Sequence, residues 1–241
     1  MMRIIITAPK GKMDSLILEE AVKDDGLEPV GLIGPAGRDY IGTEICGVKV
    51  YDDLGSVIEN CDLVIDYSNT ELSKQVLKIC MDHGKALICG TTGFRDTDNE
   101  MFREAAEKIP VLKAANTSYM VNVMMKMAAL AAEKLAGKCK MEILDLHDEK
   151  KADAPSGTAL ELGEILAEAA MISVDEIDHH SVRAGDIPSS HTIYFGGIGE
   201  RIELTHHAYN WKCYAAGACS AAKFLEGKAP GLYLMSDVVD D

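Results

Sequence analysis

Through the first half of the chain, short apolar runs alternate with amphipathic stretches. Arg3–Ala8 and Leu63–Tyr67 read as buried strands, Leu27–Gly34, Ala86–Cys89 and Val111–Ala114 as further strands, and Val48–Tyr51 as a short extended piece. Between them, Met13–Asp24, Glu71–His83 and Thr97–Lys108 carry apolar residues at helical spacing. This alternation predicts a parallel sheet with helices on both faces, a fold that binds ligands at the carboxyl ends of its strands. Further on the pattern changes. Met120–Leu135 reads as a helix whose Met120, Met124, Met125 and Met127 serve packing. In the strand opening at Met141, the residues Met141, Ile143 and Asp145 lie on one face, and Glu142, Leu144 and Leu146 on the other. A helix follows with Ala159, Leu160, Leu162, Ile165 and Leu166. Alternation returns in Ser181–Ala184, His191–Phe195 and Arg201–His207, and the set predicts a mixed sheet. Tyr209–Leu225 is helical again. The fold class is α/β, with a Rossmann-like parallel-sheet domain and a second α+β domain built on the mixed sheet.

Candidate chemistry concentrates where the Met141 strand meets the next helix. His147, Asp148, Glu149, Lys150 and Lys151 are expected in a short polar loop, followed by Pro155 and by Ser156-Gly157-Thr158 at a helix start. Pro155 lacks an N–H, while the three residues after it present N–H groups that a helix leaves unsatisfied, with the dipole behind them. One imidazole, two ammonium groups and an anion-binding helix end suit an anionic substrate that must be protonated. The plainer reading is a solvated loop and an ordinary helix cap. In the first half three turns sit at strand ends: Ala8-Pro9-Lys10-Gly11-Lys12-Met13-Asp14, Gly90-Thr91-Thr92-Gly93-Phe94 and Ala114-Ala115-Asn116-Thr117-Ser118. The first stands where a dinucleotide fold carries its glycine-rich loop.

The string from His147 to Ala159, His-x-x-x-Lys-x-Asp-Ala-Pro-Ser-Gly-Thr-Ala, closely resembles the signature of the dihydrodipicolinate reductases, enzymes of the diaminopimelate route to lysine. Gly90–Phe94, Ala114–Val123, Arg183–Ile187 and Gly199–Arg201 resemble the same family. The resemblance implies hydride transfer from NADH or NADPH to a cyclic imine dicarboxylate. It implies a cofactor domain of residues 1–117 and 212–241, and a substrate and tetramerisation domain of residues 118–211 in a homotetramer. His147 aligns with the family's general acid and Lys151 with its partner lysine. Asp148, Ser156, Gly157 and Thr158 fall on the substrate side, and Asp153 is expected to fix the loop. Ala8, Gly11, Lys12, Met13, Gly90, Thr91, Thr92, Ala114, Asn116 and Thr117 fall around the cofactor.

Several positions depart from the family pattern. Its first turn reads Gly-x-x-Gly-Arg-Met-Gly; here Ala8 adds a Cβ, Pro9 removes an N–H, and Asp14 puts a negative charge near the helix N-terminus where a phosphate would lie. Ile33-Gly34-Pro35 offers no acidic residue to an adenosine ribose, and Arg38 could reach a 2′-phosphate. Asp148 replaces a second histidine, Trp211 stands about where an arginine is expected, and the stretch before Arg183 is shorter. Three readings follow: the lysine-pathway reductase, a reductase of the same fold for another imine or keto acid, or a non-catalytic relative.

Composition narrows the setting. A net charge of −15 argues against nucleic acid or an anionic membrane as partner, so local groups must draw any anionic substrate. No apolar run approaches a membrane span, and the start has no secretory pattern. Seven cysteines without CxxC spacing predict reduced thiols in a cytoplasm. No metal site is expected: the pairs His179-His180 and His206-His207 lie on strands, where neighbours face opposite ways.

Overall fold

The structure, a computed structural model, describes the backbone of all 241 residues and every side chain except that of Asp96. The chain divides into two compact units, one formed by Met1–Ser118 with Lys212–Asp241 and the other by Tyr119–Trp211.

The first unit opens with β1 (Met2–Thr7), α1 (Lys12–Ala21) and β2 (Leu27–Ile33), then a small antiparallel pair, β3 (Glu44–Ile45) and β4 (Val48–Tyr51). It continues through β5 (Leu63–Asp66), α2 (Thr70–Asp82), β6 (Ala86–Cys89), α3 (Asp96–Ala106) and β7 (Pro110–Lys113). After the second unit, made of α4 (Tyr119–Leu135), β8 (Lys140–His147), α5 (Gly157–Ala170), β9 (Asp178–Arg183), β10 (Ser189–Gly196) and β11 (Arg201–Ala208), the chain completes the first. It does so with α6 (Lys212–Phe224), β12 (Gly231–Tyr233) and α7 (Met235–Asp240).

The first unit's sheet runs β12-β7-β6-β5-β1-β2-β4-β3, parallel apart from the terminal β3–β4 pair. Chain order reverses between β1 and β5. That is the switch point at which doubly wound sheets bind ligands. Alternate residues feed two cores: Ile4, Ile6, Leu63 and Ile65 pack towards α1 and α6, while Ile5, Val64 and Leu87 pack with Val76, Leu77 and Phe102. Burial on both faces is why these strands read as continuous apolar runs. The terminal segment supplies the edge strand β12, parallel to β7. Its three residues carried no recognisable strand pattern.

In the second unit the sheet order is β11-β10-β8-β9. β8 pairs parallel with β9 across the α5 crossover and antiparallel with β10, so this sheet is mixed. Met141, Ile143, Ile193 and Phe195 share a core with Val121, Met124 and Met125 of α4 and with Leu162 and Leu166 of α5. The methionine stripe splits: Met124 and Met125 are buried, whereas Met120 and Met127 are exposed. Leu144, Leu146 and Tyr194, on the opposite face, are half-buried.

Candidate active site

His147 is the last residue of β8, not a loop residue, and is only 7% exposed. The alternation that buries Met141, Ile143 and Asp145 carries on through it. The chain then turns sharply. Asp148 accepts the Lys150 N–H at 2.9 Å, and the Lys151 N–H reaches the Asp148 carbonyl at 3.2 Å. The Asp148 carboxylate is thereby engaged in a turn of the kind that aspartate favours. The Lys151 ammonium pairs with Asp153 at 2.8 Å.

The hub beneath these groups is Asp145, buried and held by three N–H contacts. Arg183 donates to its Oδ1 at 2.7 Å and to its Oδ2 at 3.4 Å, and the Ser156 N–H donates to Oδ2 at 2.6 Å. The same guanidinium donates to the Asp153 carbonyl at 2.6 Å, tying strand, loop and helix start together. Burial alone would raise the Asp145 carboxyl. The hydrogen bonds from Arg183 and Ser156 outweigh it and hold the group well below the usual carboxylate range. Parallel pairing of β8 with β9 sets Arg183 beside His147, and antiparallel pairing with β10 sets His191 beside Asp145.

Ser156 faces inward, with its polar atoms used by the fold. Its hydroxyl accepts the Ala159 N–H at 3.2 Å as the N-cap of α5 and lies 3.1 Å from His191 Nε2. Its N–H, expected to face an anion, is taken by Asp145. α5 therefore begins at Gly157, with Pro155 two residues before it. Gly157 is exposed at the first helical position, with nothing within 4 Å of where a Cβ would sit; Thr158 follows, half-buried.

The His147 ring meets the His191 ring edge-on, centroids 5.2 Å apart. Burial first, then Lys151, lower the His147 pKa, and burial and His147 push His191 down to about 3. Both rings are thus neutral at neutral pH. His147 Nδ1 lies 4.0 Å from Asp145 Oδ2 and has no hydrogen-bond partner among the described residues. Asp145, His147 and His191 bring possible ligand atoms within 4.8 Å of one another. A metal there would compete with Arg183 and Ser156 for the carboxylate, so we read the trio as an ion-pair and ring network. His179 and His180 do face opposite ways: His179 reaches the Ala159 carbonyl at 3.0 Å, and His180 reaches Glu142 at 3.0 Å.

In the first unit, the turn between β1 and α1 takes the shape a nucleotide loop needs. Ala8 sits at φ +43°, a left-handed conformation that favours glycine. The Gly11 N–H closes the turn on the Ala8 carbonyl at 2.6 Å, and a Cβ on Gly11 would meet that oxygen and Asp14 Oδ2, each at 3.0 Å. Gly11 caps α1 with no side-chain hydrogen bond, leaving the helix end to its backbone N–H groups. Lys12 is exposed and Met13 half-buried.

Asp14 overturns the expectation set by its charge. It is 1% exposed and points inward, and its Oδ1 has no hydrogen-bond partner among the described residues. Burial, then the neighbouring Asp66, raise its carboxyl to about 8, so it is neutral at pH 7. Asp66 ends β5 and accepts hydroxyl hydrogen bonds from Thr7 at 2.6 Å, Ser68 at 2.6 Å, and Ser73. Thr91 lies at the edge of this network, 3.5 Å from Asp66 and 2.9 Å from Ser73, whereas Thr92 is exposed. Gly90 is required by space, since a Cβ would fall 2.0 Å from the Tyr67 ring. Tyr67 in turn bonds Thr117 at 2.8 Å, and Asn116 accepts the Ser118 N–H at 2.9 Å. Ala114 is half-buried at the end of β7. The left-handed turn, the uncapped helix end and the space reserved at Gly11 fit a dinucleotide pyrophosphate.

Sequence reasoning missed the roles of Asp145, Arg183 and His191. A carboxylate on the buried face of an alternating strand was the available signal, because such a group requires a partner.

Comparison with known proteins agrees with this geometry. Residues 2–117 match the family model for the dihydrodipicolinate reductase N-terminus, and residues 120–239 match that for its C-terminus. A 4-hydroxy-tetrahydrodipicolinate reductase of Hahella chejuensis is 38% identical, with 99% of each chain covered. One from Geotalea daltonii is 35% identical with the same coverage. Among solved structures, a dipicolinate-bound dihydrodipicolinate reductase from Paenisporosarcina sp. TG-14 aligns with a TM-score of 0.83, covering 97% of both chains at 25% identity. The chain belongs to the dihydrodipicolinate reductase family.

Proposed function

We propose that this protein reduces 4-hydroxy-tetrahydrodipicolinate, the cyclic imine dicarboxylate of the diaminopimelate and lysine route, with NADH or NADPH. The observation that carries the reading is the buried His147 at the end of β8, beside Lys151 and the start of α5. The bound nicotinamide supplies the hydride. The turn from Ala8 to Met13, with Gly90, Thr91, Thr92, Ala114, Asn116 and Thr117, would hold the dinucleotide.

On the substrate side, the first turn of α5 at Gly157 and Thr158 receives a carboxylate, and Ser156 and Asp145 fix the angle of that turn. Lys151 offers a second positive charge. His147 is neutral in the free protein because it is buried and faces Lys151 and Arg183. A dianion among these groups cancels their field and raises the imidazole, so the proton is loaded together with the substrate. His147 would then donate it to the ring, and with the hydride added and the 4-hydroxyl lost as water the products are tetrahydrodipicolinate and the oxidised dinucleotide. One Asp148 carboxylate oxygen is turned back onto the Lys150 N–H of its own loop, which favours the lysine-pathway reading over another imine or keto acid.

The uncovered face of the second sheet, with Leu144, Leu146 and Tyr194 half-buried, supports a homotetramer built there. All seven cysteines are free, four of them buried, which supports a reducing cytoplasm. No described helix is long and apolar enough to cross a membrane.

The test is NADH and NADPH oxidation with the freshly made product of dihydrodipicolinate synthase. Saturable turnover is expected, and His147→Gln should lower kcat by about two to four orders of magnitude with cofactor affinity kept. No turnover with either cofactor would overturn the reading; an unchanged rate in the variant would remove His147 as the acid.

A further inference from the structure

The carboxyl of Asp14 lies inside the first turn of α1, beneath the helix end that fits the pyrophosphate. Two observations make this unusual beneath a proposed dianionic ligand: the carboxyl is buried with one oxygen unpartnered among the described residues, and the helix has no side-chain cap. A buried acid without a cation can be tolerated only while it keeps its proton.

Among the described residues, none of the groups that shift this carboxyl is a cation. From the end of β5 the acid faces the Asp66 carboxyl and the Tyr67 backbone N–H; that N–H favours the ionised form, but burial and Asp66 outweigh it, and the buried Tyr67 hydroxyl is committed to Thr117. From β1 comes Thr7, whose hydroxyl is committed to Asp66. From α6, Cys219 lies one turn further on, against the Ile17 carbonyl, with its thiol pushed up to about 12 by burial. On its own helix Lys12 is exposed. The nearest ionisable neighbour is therefore another carboxylic acid at the switch point of the sheet.

We propose that Asp14 is a positioning residue of the dinucleotide loop and that the loop accepts the pyrophosphate only while the Asp14 carboxyl carries its proton. The neutral acid fills the space under the turn and leaves the field of the helix N-terminus positive. The ionised acid would set a negative charge directly behind the N–H groups that receive the phosphates. By linkage, dinucleotide binding then holds the proton on Asp14 and raises its affinity for it. The inference rests on the cofactor reading above and adds a pH dependence that this reading does not require.

The experiment is a titration of NADH and of NADPH into the purified protein by calorimetry, between about pH 6.5 and 9.5. It uses two buffers of different ionisation enthalpy and checks folding by circular dichroism at each pH. With the acid titrating near 8, Kd should be flat at the low end and roughly thirtyfold weaker by about pH 9.5. Near pH 8 the buffer pair should show about half a proton taken up per dinucleotide. Asp14→Asn, and the family's own residue in Asp14→Gly, should bind with a Kd independent of pH and without proton uptake. Binding by both variants with the wild-type pH profile would overturn this inference alone. Absence of binding at every pH in wild type and variants would overturn it together with the cofactor assignment.

Discussion

Replacing Asp14 by Asn tests the buried acid in the protein without ligand, through stability. In the folded chain burial, and then Asp66, raise the carboxyl to about 8 from its ordinary 3.8. Between those values the folded state keeps a proton that the unfolded state has released, so the group's contribution is fully present below pH 3.8 and is lost as pH rises towards 8. A difference of about four pH units, at about 1.4 kcal/mol each, sets a ceiling of about 5–6 kcal/mol. Between about pH 4.5 and 7.5 the two-state expression gives a loss of about 4 kcal/mol, and relaxation around the ionised group lowers the expected figure to about 2–4 kcal/mol. Asn has nearly the same shape and does not titrate. The shifts at Asp145, His147 and His191 are common to both proteins and cancel in the difference. Urea unfolding of each protein across this range supplies the assay. The wild type should lose stability relative to Asp14→Asn by about that amount as pH rises. A difference that stays constant from about pH 4.5 to 7.5 would refute the buried neutral acid.

Two further changes address the framework around each site. Arg183→Met leaves Asp145 buried without its cation and should destabilise the protein by about 3–5 kcal/mol in urea unfolding; a loss under about 1 kcal/mol would show that the Ser156 N–H suffices. Because Asp145 is held low, its stabilisation is present above its ordinary value of 3.8 and lost as pH falls below it, so the gap between wild type and Arg183→Met should shrink in acid. Gly90→Ala drives a methyl into the Tyr67 ring and strains its bond to Thr117, costing about 2–4 kcal/mol from overpacking and one weakened hydrogen bond. An unchanged Tm would show that the ring moves aside freely.

The sheet of the first unit was legible because both its faces are buried. Leu63–Ile65 and Ala86–Cys89 are apolar throughout, so the runs stand out between helical stretches. β12 was not legible. Its three residues gain strand geometry from pairing with β7, a contact more than a hundred positions back along the chain. Five helix starts were legible to within about two residues, but α6 begins at Lys212 rather than Tyr209 and α7 gave no signal; at α5, Asp145 claims the Ser156 N–H, which fixes the cap one residue past the proline.

The candidate site divides along the same line. The candidates His147, Lys151, Gly157 and Thr158 lie close in sequence, and a local string is enough to single them out as candidates. The groups that control His147 are remote: Arg183 reaches it through β9, and His191 through β10. Strand register decides those neighbours, and one residue of slip would turn each to the other face of the sheet. Asp14 shows the limit most sharply. Read as a charge at a helix N-terminus, it opposes a phosphate and argues against cofactor binding. Once its side chain is turned under the helix and set beside Asp66, burial removes the charge, and the same residue becomes compatible with the dinucleotide. Sequence supplies the formal charge of an aspartate, but its burial and its neighbours decide whether that charge exists, so a departure from a family motif can be judged only where the side chain comes to rest.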